Sequence, residues 1–122
     1  MLITLGNSES SAMTPIEINR LFNKMGCDDI YKKICIYAQM YKQFDPDFPN
    51  EGYARCTITG MVVDHLNLNI RPMLHTHITK IVRKYPLSFF TSIDNVRAFI
   101  DGYKDFVNKL DEFTTENTGE TL

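Results

Sequence analysis

Apolar residues recur at helical spacing along most of this chain, and the first helix has a clear beginning and end. Residues 14–17, Thr-Pro-Ile-Glu, form a capping box with proline at the first helical position. The apolar positions that follow share one helical face: Ile18, Leu21, Phe22 and Met25. Gly26 adopts positive φ without steric cost, so it predicts the end of this helix.

A second helix is predicted to begin after Asp28 or Asp29 and to continue to about residue 43. Its apolar positions again follow helical spacing: Ile30, Ile34, Tyr37 or Ala38, and Tyr41. Residues 44–52 contain two prolines and a glycine, and they predict a loop. Two phenylalanines in this loop, Phe44 and Phe48, either enter the core or mark a contact surface.

The segment 53–68 allows two interpretations. Residues 55–60 are rich enough in β-branched side chains to form a short strand. Alternatively, Thr57 caps a helix that continues to Leu66. We favour the helix because its apolar positions share one face: Ile58, Met61, Val62, His65 and Leu66. Gly60 weakens that helix by about 1 kcal/mol relative to alanine.

Two further helices are predicted in the C-terminal half. Residues 67–71 form a turn, Pro72 fits the first turn of a helix, and Pro86 ends that helix. The predicted buried face of this 72–85 helix is Leu74, Ile78, Ile81, Val82 and Tyr85. The last helix begins near Ser92 and carries the strongest periodicity in the chain. Its apolar stripe is Val96, Phe99, Tyr103, Phe106, Leu110 and Phe113, widened by Ile100 and Val107.

These elements predict an all-α fold, a single-domain bundle of about five helices that contains a helix-turn-helix-like unit. The helical domain spans 14–113, between a flexible N-terminal arm at 1–13 and a disordered C-terminal tail at 114–122. A length of 122 residues with 43% hydrophobic and 23% charged residues is typical of one globular domain.

The compartment is predicted to be cytoplasmic. No apolar stretch is long enough to cross a bilayer, and the N-terminal residues lack the basic region of a secretory signal. Three cysteines, Cys27, Cys35 and Cys56, are an odd number without metal-type spacing. They indicate reduced thiols, and we expect all three to be small core residues.

Charge is distributed unevenly along the chain. Its 13 basic and 15 acidic residues give a net charge of -2, so the protein lacks the overall basic field of many nucleic-acid binders. Residues 61–85 carry one acid, four bases and all three histidines, whereas residues 86–122 carry seven acids and three bases. The basic segment is either a solvated helix face or a surface for an anionic partner.

Residues 62–85 have the pattern of a helix-turn-helix, in which the second helix contacts DNA. Polar side chains that point away from the apolar stripe of the 72–85 helix suit contacts with phosphates and base edges. Together with basic residues at the two ends of that helix, the candidate nucleic-acid-binding residues are Arg71, His75, Thr76, Thr79, Lys80, Arg83 and Lys84.

The order of residues in this segment resembles the LuxR-type helix-turn-helix. The matching positions are Val62, Val63, Leu66, His77, Ile81, Arg83, Lys84 and Tyr85. The turn is one residue longer than in that family, Asn67 stands where glycine is common, and residues 72–74 replace the usual threonine–valine start. The resemblance implies a DNA-binding regulator that binds paired half-sites as a twofold dimer, with the last helix as the dimerisation element.

No enzymatic chemistry, cofactor or metal site is predicted. His75 and His77 are two residues apart, so they point in different directions on a helix and cannot share a metal. The six glycines are scattered and form no phosphate-binding loop. Asp45 and Asp47 lie beside prolines, where turn formation explains them better than acid–base catalysis.

The alternative function is a protein-interaction module, such as an inhibitor or adaptor. It would dock through an apolar helix face, the Phe44–Phe48 loop or the acidic C-terminal surface, and the candidate dimer or partner interface is Phe99, Tyr103, Phe106 and Leu110. Abundant Ile, Asn, Lys, Tyr and Phe without Trp is compatible with an AT-rich genome such as that of a virus or phage. DNA binding should weaken steeply with salt, whereas an apolar interface should respond little.

Overall fold

The computed structural model describes the backbone of residues 13–121 and the side chains of residues 13–114. That part of the chain contains five α-helices, one 3-10 helix and no strand, so the predicted all-α fold is confirmed. The helices are α1 (Pro15–Lys24), α2 (Ile30–Phe44), α3 (Glu51–His65), α4 (Pro72–Lys84), the 3-10 helix Leu87–Thr91 and α5 (Ile93–Thr121). Except for Met13, the predicted arm at 1–13 lies outside the described residues. Of the predicted tail at 114–122, no side chain beyond Thr114 is described.

The first two helices begin and end where their capping residues predict. The Thr14 hydroxyl accepts a hydrogen bond from the Glu17 amide (3.2 Å), and the Glu17 carboxylate accepts one from the Thr14 amide (2.8 Å). Gly26 follows α1 with φ +83°, a conformation that favours glycine. At α2, the Asp29 carboxylate accepts a hydrogen bond from the Tyr31 amide (2.8 Å). Local capping chemistry therefore sets these boundaries.

The helix favoured for the ambiguous middle segment is confirmed, but it begins earlier than Thr57. The Asn50 side chain accepts a hydrogen bond from the Tyr53 amide (2.7 Å) and caps α3, which begins at Glu51. The alternative strand at 55–60 is wrong, because these residues lie inside α3. An asparagine that follows proline looks like a loop residue in the sequence, although it also suits a helix N-cap.

α3 lies in the interior of the bundle. It packs against α1, α2 and α4, whereas α5 packs against α2 and the 3-10 helix. Its buried residues point in several directions: Ala54, Thr57, Ile58, Thr59, Met61, Val62 and Val63. A helix that is buried on more than one face belongs to the interior rather than to the surface of a domain. α4 and α5 thus rest on different neighbours.

Gly60 permits the close approach of α1 to α3. A Cβ atom at this position would lie 2.5 Å from Cγ of Pro15, which is far inside van der Waals contact. Gly60 has a low helix propensity, but because it has no side chain, the first turn of α1 can pack against α3.

The apolar stripe of α5 is rotated relative to its prediction. The buried positions are Val96, Ile100, Tyr103 and Val107, so the two residues expected only to widen the stripe belong to its centre. Phe106 is 42% exposed and Phe113 is 65% exposed. The predicted stripe contains more apolar residues than one neighbouring surface can cover. The remaining residues, such as Phe106 and Phe113, lie at the edge of the stripe and are exposed.

Two features near the core differ from expectation. The 3-10 helix was not predicted, and it buries Leu87 and Phe90. Cys56 is exposed, so its predicted core position is wrong, whereas Cys27 and Cys35 are partly buried. The Cys35 thiol donates a hydrogen bond to the Thr91 carbonyl (3.0 Å) and links α2 to the end of the 3-10 helix. Among the described helices none has the length and apolar character needed to span a membrane.

Candidate nucleic-acid interface

α4 is an amphipathic helix whose buried side rests on α3. Leu74, Ile78 and Val82 are buried, and Ile81 and Tyr85 are half-buried, as the spacing predicts. Pro72 occupies the first turn, where its missing N–H costs no hydrogen bond. The turn before α4 is fixed by Leu68, which is buried and whose amide donates to the Val63 carbonyl (2.9 Å). The core therefore holds α4 with its opposite side in solvent.

Four predicted contact residues share the exposed side of α4, and we call them the basic face: Thr76, Lys80, Arg83 and Lys84. At about 100° per residue, Lys80 and Arg83 lie almost opposite the buried stripe. α4 contains no acidic residue. Among residues 13–114, the ion pairs involve other side chains, and none of the three cations of the basic face takes part in one. These cations are therefore accessible to an anionic partner.

The other three predicted contact residues are separated from the basic face. Arg71 forms a two-pronged ion pair with Asp111 of α5, at 2.8 and 3.1 Å. The hydrogen bond from Arg71 lowers the pKa of the Asp111 carboxyl. Thr79 donates a hydrogen bond to the His75 carbonyl (2.9 Å), and His75 is exposed on another side of the helix. Arg71 is thus already engaged within the chain.

An apolar groove separates α4 from α5, and we call it the α4–α5 groove. One part has a volume of about 430 Å³ and is lined by Arg71, Pro72, Met73, Leu74 and Leu110. The groove continues as a depression of about 370 Å³ along α4 itself, lined by Pro72, Met73, Thr76, His77 and Lys80. Met73 is 86% exposed at this groove, and Ile70 in the preceding turn is 89% exposed. Clustered exposed apolar side chains are typical of interaction sites.

Aromatic contacts form one end of the groove. A hydrogen bond joins Nδ1 of His77 to the Tyr103 hydroxyl (2.9 Å). The His77 ring also lies 5.6 Å from the Phe106 ring, centroid to centroid. The backbones of α4 and α5 pack mainly against other elements. Side-chain contacts such as these therefore connect the two helices.

The four predicted interface residues of α5 do not form one exposed face. Tyr103 is buried and belongs to the core, and Phe99 is half-buried in edge contacts with Tyr85 and Phe90. Phe106 and Leu110 border the groove. Sequence reasoning missed Met73 and Ile70. The sequence could have revealed both residues, because each is a large apolar residue outside the predicted buried stripe of α4.

Asp45 is a buried carboxylate that the sequence predicts only as a turn residue. It accepts hydrogen bonds from the Tyr37 hydroxyl and from the Met13 amide (3.0 Å). Burial and the hydrogen bond to Asp45 raise the pKa of Tyr37. Because Asp45 is fully buried, it holds structural elements together and lies out of reach of a substrate.

Within the described residues, no group of histidine, cysteine and carboxylate side chains has an arrangement that could hold a metal ion. Comparison of the chain with known protein families, with curated protein sequences and with solved structures gives no match. The LuxR-type resemblance of residues 62–85 therefore stays a prediction.

Proposed function

We propose that this protein is a small, non-enzymatic DNA-binding regulator that contacts DNA through the basic face of α4. The observation that carries the proposal is the exposure of Lys80, Arg83 and Lys84 on a helix without acidic residues. Contacts from lysine and arginine to phosphates supply most of the affinity of non-specific DNA binding. Thr76, nearer the start of α4, offers a polar group for base edges.

The support beneath α4 favours the same proposal. A helix that contacts a groove of DNA must be held rigidly with its polar side outward, as in helix-turn-helix proteins. Leu74, Ile78 and Val82 fix α4 to α3. The ion pair between Arg71 and Asp111 removes one cation from the predicted set, so the proposed contact surface is centred on Lys80 and Arg83.

The test is a fluorescence anisotropy titration of the protein with a labelled DNA duplex at several salt concentrations. Loss of two phosphate contacts in Lys80→Ala/Arg83→Ala should reduce the slope of log affinity against log salt by about 2. The matched control is Arg20→Ala/Lys24→Ala, which removes one arginine and one lysine from exposed positions on α1. Equal affinity and slope in the double variant of α4 and its parent would exclude α4 as the contact helix.

A second candidate function is self-association through the α4–α5 groove, because Met73 lines the groove and is exposed, and Phe106, which contacts His77 of the groove, is exposed as well. We propose a second copy of this chain as the occupant. Arg71 and Asp111 are already paired with each other, and Asp105 is paired with Lys109. Lys80 on the α4 side of the groove and Glu112 on the neighbouring part of α5 form no ion pair with another described residue, so they can contact a second copy. A twofold axis would bring the basic side of one copy to the acidic side of the other.

Sedimentation velocity over a range of protein concentrations tests this second candidate. Met73→Glu should abolish a dimer that the parent forms, since it places a charge in an apolar interface. Met25→Glu, at another exposed methionine, is the matched control and should dimerise like the parent. A parent protein that stays monomeric at all concentrations would exclude a second copy and leave the groove to another protein.

A further inference from the structure

A second concave site lies between the end of α3 and α5, apart from the basic face and from the α4–α5 groove. It has a volume of about 280 Å³ and is lined by His65, Leu66, Asn67, Lys104, Val107 and Asn108. We call it the His65 cleft. Its polar lining consists of one imidazole, one ammonium and two amides. Each of these groups can donate a hydrogen bond to an oxygen atom.

The polar side chains of the cleft have free hydrogen-bonding groups. Within residues 13–114, His65, Asn67, Lys104 and Asn108 make no side-chain hydrogen bond or ion pair. Two neighbouring carboxylates already accept hydrogen bonds from other residues. Asp101 accepts one from the Tyr31 hydroxyl (2.6 Å), and Asp64 accepts one from the side-chain amide of Asn69 (3.5 Å). The donors of the cleft are therefore available to a ligand.

Positive charge acts on this cleft from two helices. Lys104 of α5 lines it, and Lys33 of α2 is only 7% exposed and has no ion pair with another described residue. After burial, these two lysines are the next causes that lower the pKa of His65, and Asp64 and Asp101 act in the opposite direction. Both positive charges would attract an anion bound in the cleft.

Asn67 has a backbone conformation that glycine would adopt at lower cost. Its φ is +57° at the end of α3, in the left-handed region where helices commonly end on glycine. Asparagine tolerates this region less well than glycine does. What asparagine adds is the side-chain amide that lines the cleft. The positive φ and the amide that lines the cleft thus belong to the same residue, Asn67.

We propose that the His65 cleft binds a small oxyanion, with the chemistry of a phosphate group. Lys104 would supply charge at the ligand, and Asn67 and Asn108 would donate hydrogen bonds to its oxygens. The phosphate group belongs either to a free small molecule or to the backbone of a nucleic acid. This site does not depend on the basic face of α4.

The primary test is a titration of the full chain with inorganic phosphate at constant ionic strength, followed by NMR of the histidine side chains. The His65 resonances should shift and saturate, and the pKa of His65 should rise because a nearby anion favours the imidazolium. His75 and His77 lie on α4 and serve as internal controls. The absence of a saturable shift at His65 would overturn the proposal.

Variants separate ligand binding from folding. Lys104→Met and Asn67→Gly should each weaken phosphate binding by roughly fivefold or more, as expected for loss of a charge-assisted or neutral hydrogen bond. Asn67→Gly should also keep or raise the melting temperature, since glycine adopts positive φ more readily. Lys109→Met removes a lysine of the same helix that does not line the cleft and is the control. Unchanged binding in both cleft variants would overturn the proposal.

A final titration distinguishes the two sources of phosphate. If a DNA duplex shifts the His65 resonances and excess inorganic phosphate then moves them to their phosphate-bound positions, the cleft binds the phosphate of nucleic acid. If only inorganic phosphate shifts them, the ligand is a free phosphate compound. Both results support the cleft, and they are independent of the Lys80→Ala/Arg83→Ala measurement, which tests α4 alone.

Discussion

At the residue scale, the Asp45 carboxylate accepts a hydrogen bond from the Tyr37 hydroxyl of the same helix and also joins a segment that helical spacing cannot relate to it. Asp45 ends α2 and also accepts a hydrogen bond from the amide of Met13, just before α1. The periodicity of α2 predicts that Tyr37 is a core residue. It cannot predict that a carboxylate from the following loop enters the core, because the partner of a buried polar group is decided by tertiary packing.

Asp45→Asn should lower the free energy of unfolding by about 1–3 kcal/mol. The charged acceptor becomes a neutral amide, and the buried Tyr37 hydroxyl loses its charge-assisted hydrogen bond. Urea unfolding followed by circular dichroism measures the change. Asp28→Asn, at an exposed aspartate, should leave the midpoint nearly unchanged. If the two variants are equally stable, the buried hydrogen bond contributes nothing to folding.

At the element scale, the sequence predicts helix boundaries that depend on local capping. It does not predict which face of a helix is buried where that depends on the neighbouring elements. Thr14, Asp29 and Pro72 mark the beginnings of three helices as predicted. The stripe of α5 is rotated because its burial is decided by α2 and the 3-10 helix, which spacing along α5 cannot reveal. For the candidate site, the sequence predicts the basic face of α4 but neither the groove nor the His65 cleft, since each of these combines residues from separate elements.

Gly60→Ala should destabilise the protein by about 1–3 kcal/mol, although alanine is the better helix former. The new methyl group would meet Pro15 at 2.5 Å, so α1 must move away from α3. Thermal unfolding gives the size of the effect. The double variant Gly60→Ala/Pro15→Ala should recover part of the loss, because it removes the opposing ring. A Gly60→Ala protein more stable than its parent would show that the approach of the two helices is not tight.

At the scale of the whole molecule, a basic helix and an acidic helix lie beside a shared groove. Arg71, immediately before α4, is joined to Asp111 of α5. This exposed ion pair and the contact between His77 and Tyr103 connect parts of the chain that otherwise pack on different neighbours. Within the residues whose side chains are described, the charge separation predicted from the sequence thus becomes a spatial arrangement across one groove.

The pKa of Asp111 reports directly on this connection. Its value is lowered in the folded protein by the hydrogen bond from Arg71, so the stabilising contribution is complete at neutral pH and is lost as the pH falls through the lowered pKa. Arg71→Gln should return the pKa of Asp111 toward its usual value. NMR titration of the side-chain carboxyl measures both proteins. An identical titration of Asp111 in the two would show that the ion pair does not form in solution.

The interior position of α3 has a consequence for how the molecule opens. Three helices cover its backbone, and none of them can leave without exposing apolar residues of α3 such as Ile58 and Val62. Amide hydrogens in the middle of α3 should therefore exchange with deuterated solvent only when the entire domain unfolds. Their slow exchange would serve as an internal gauge of global stability, against which the earlier release of α4 or α5 could be measured.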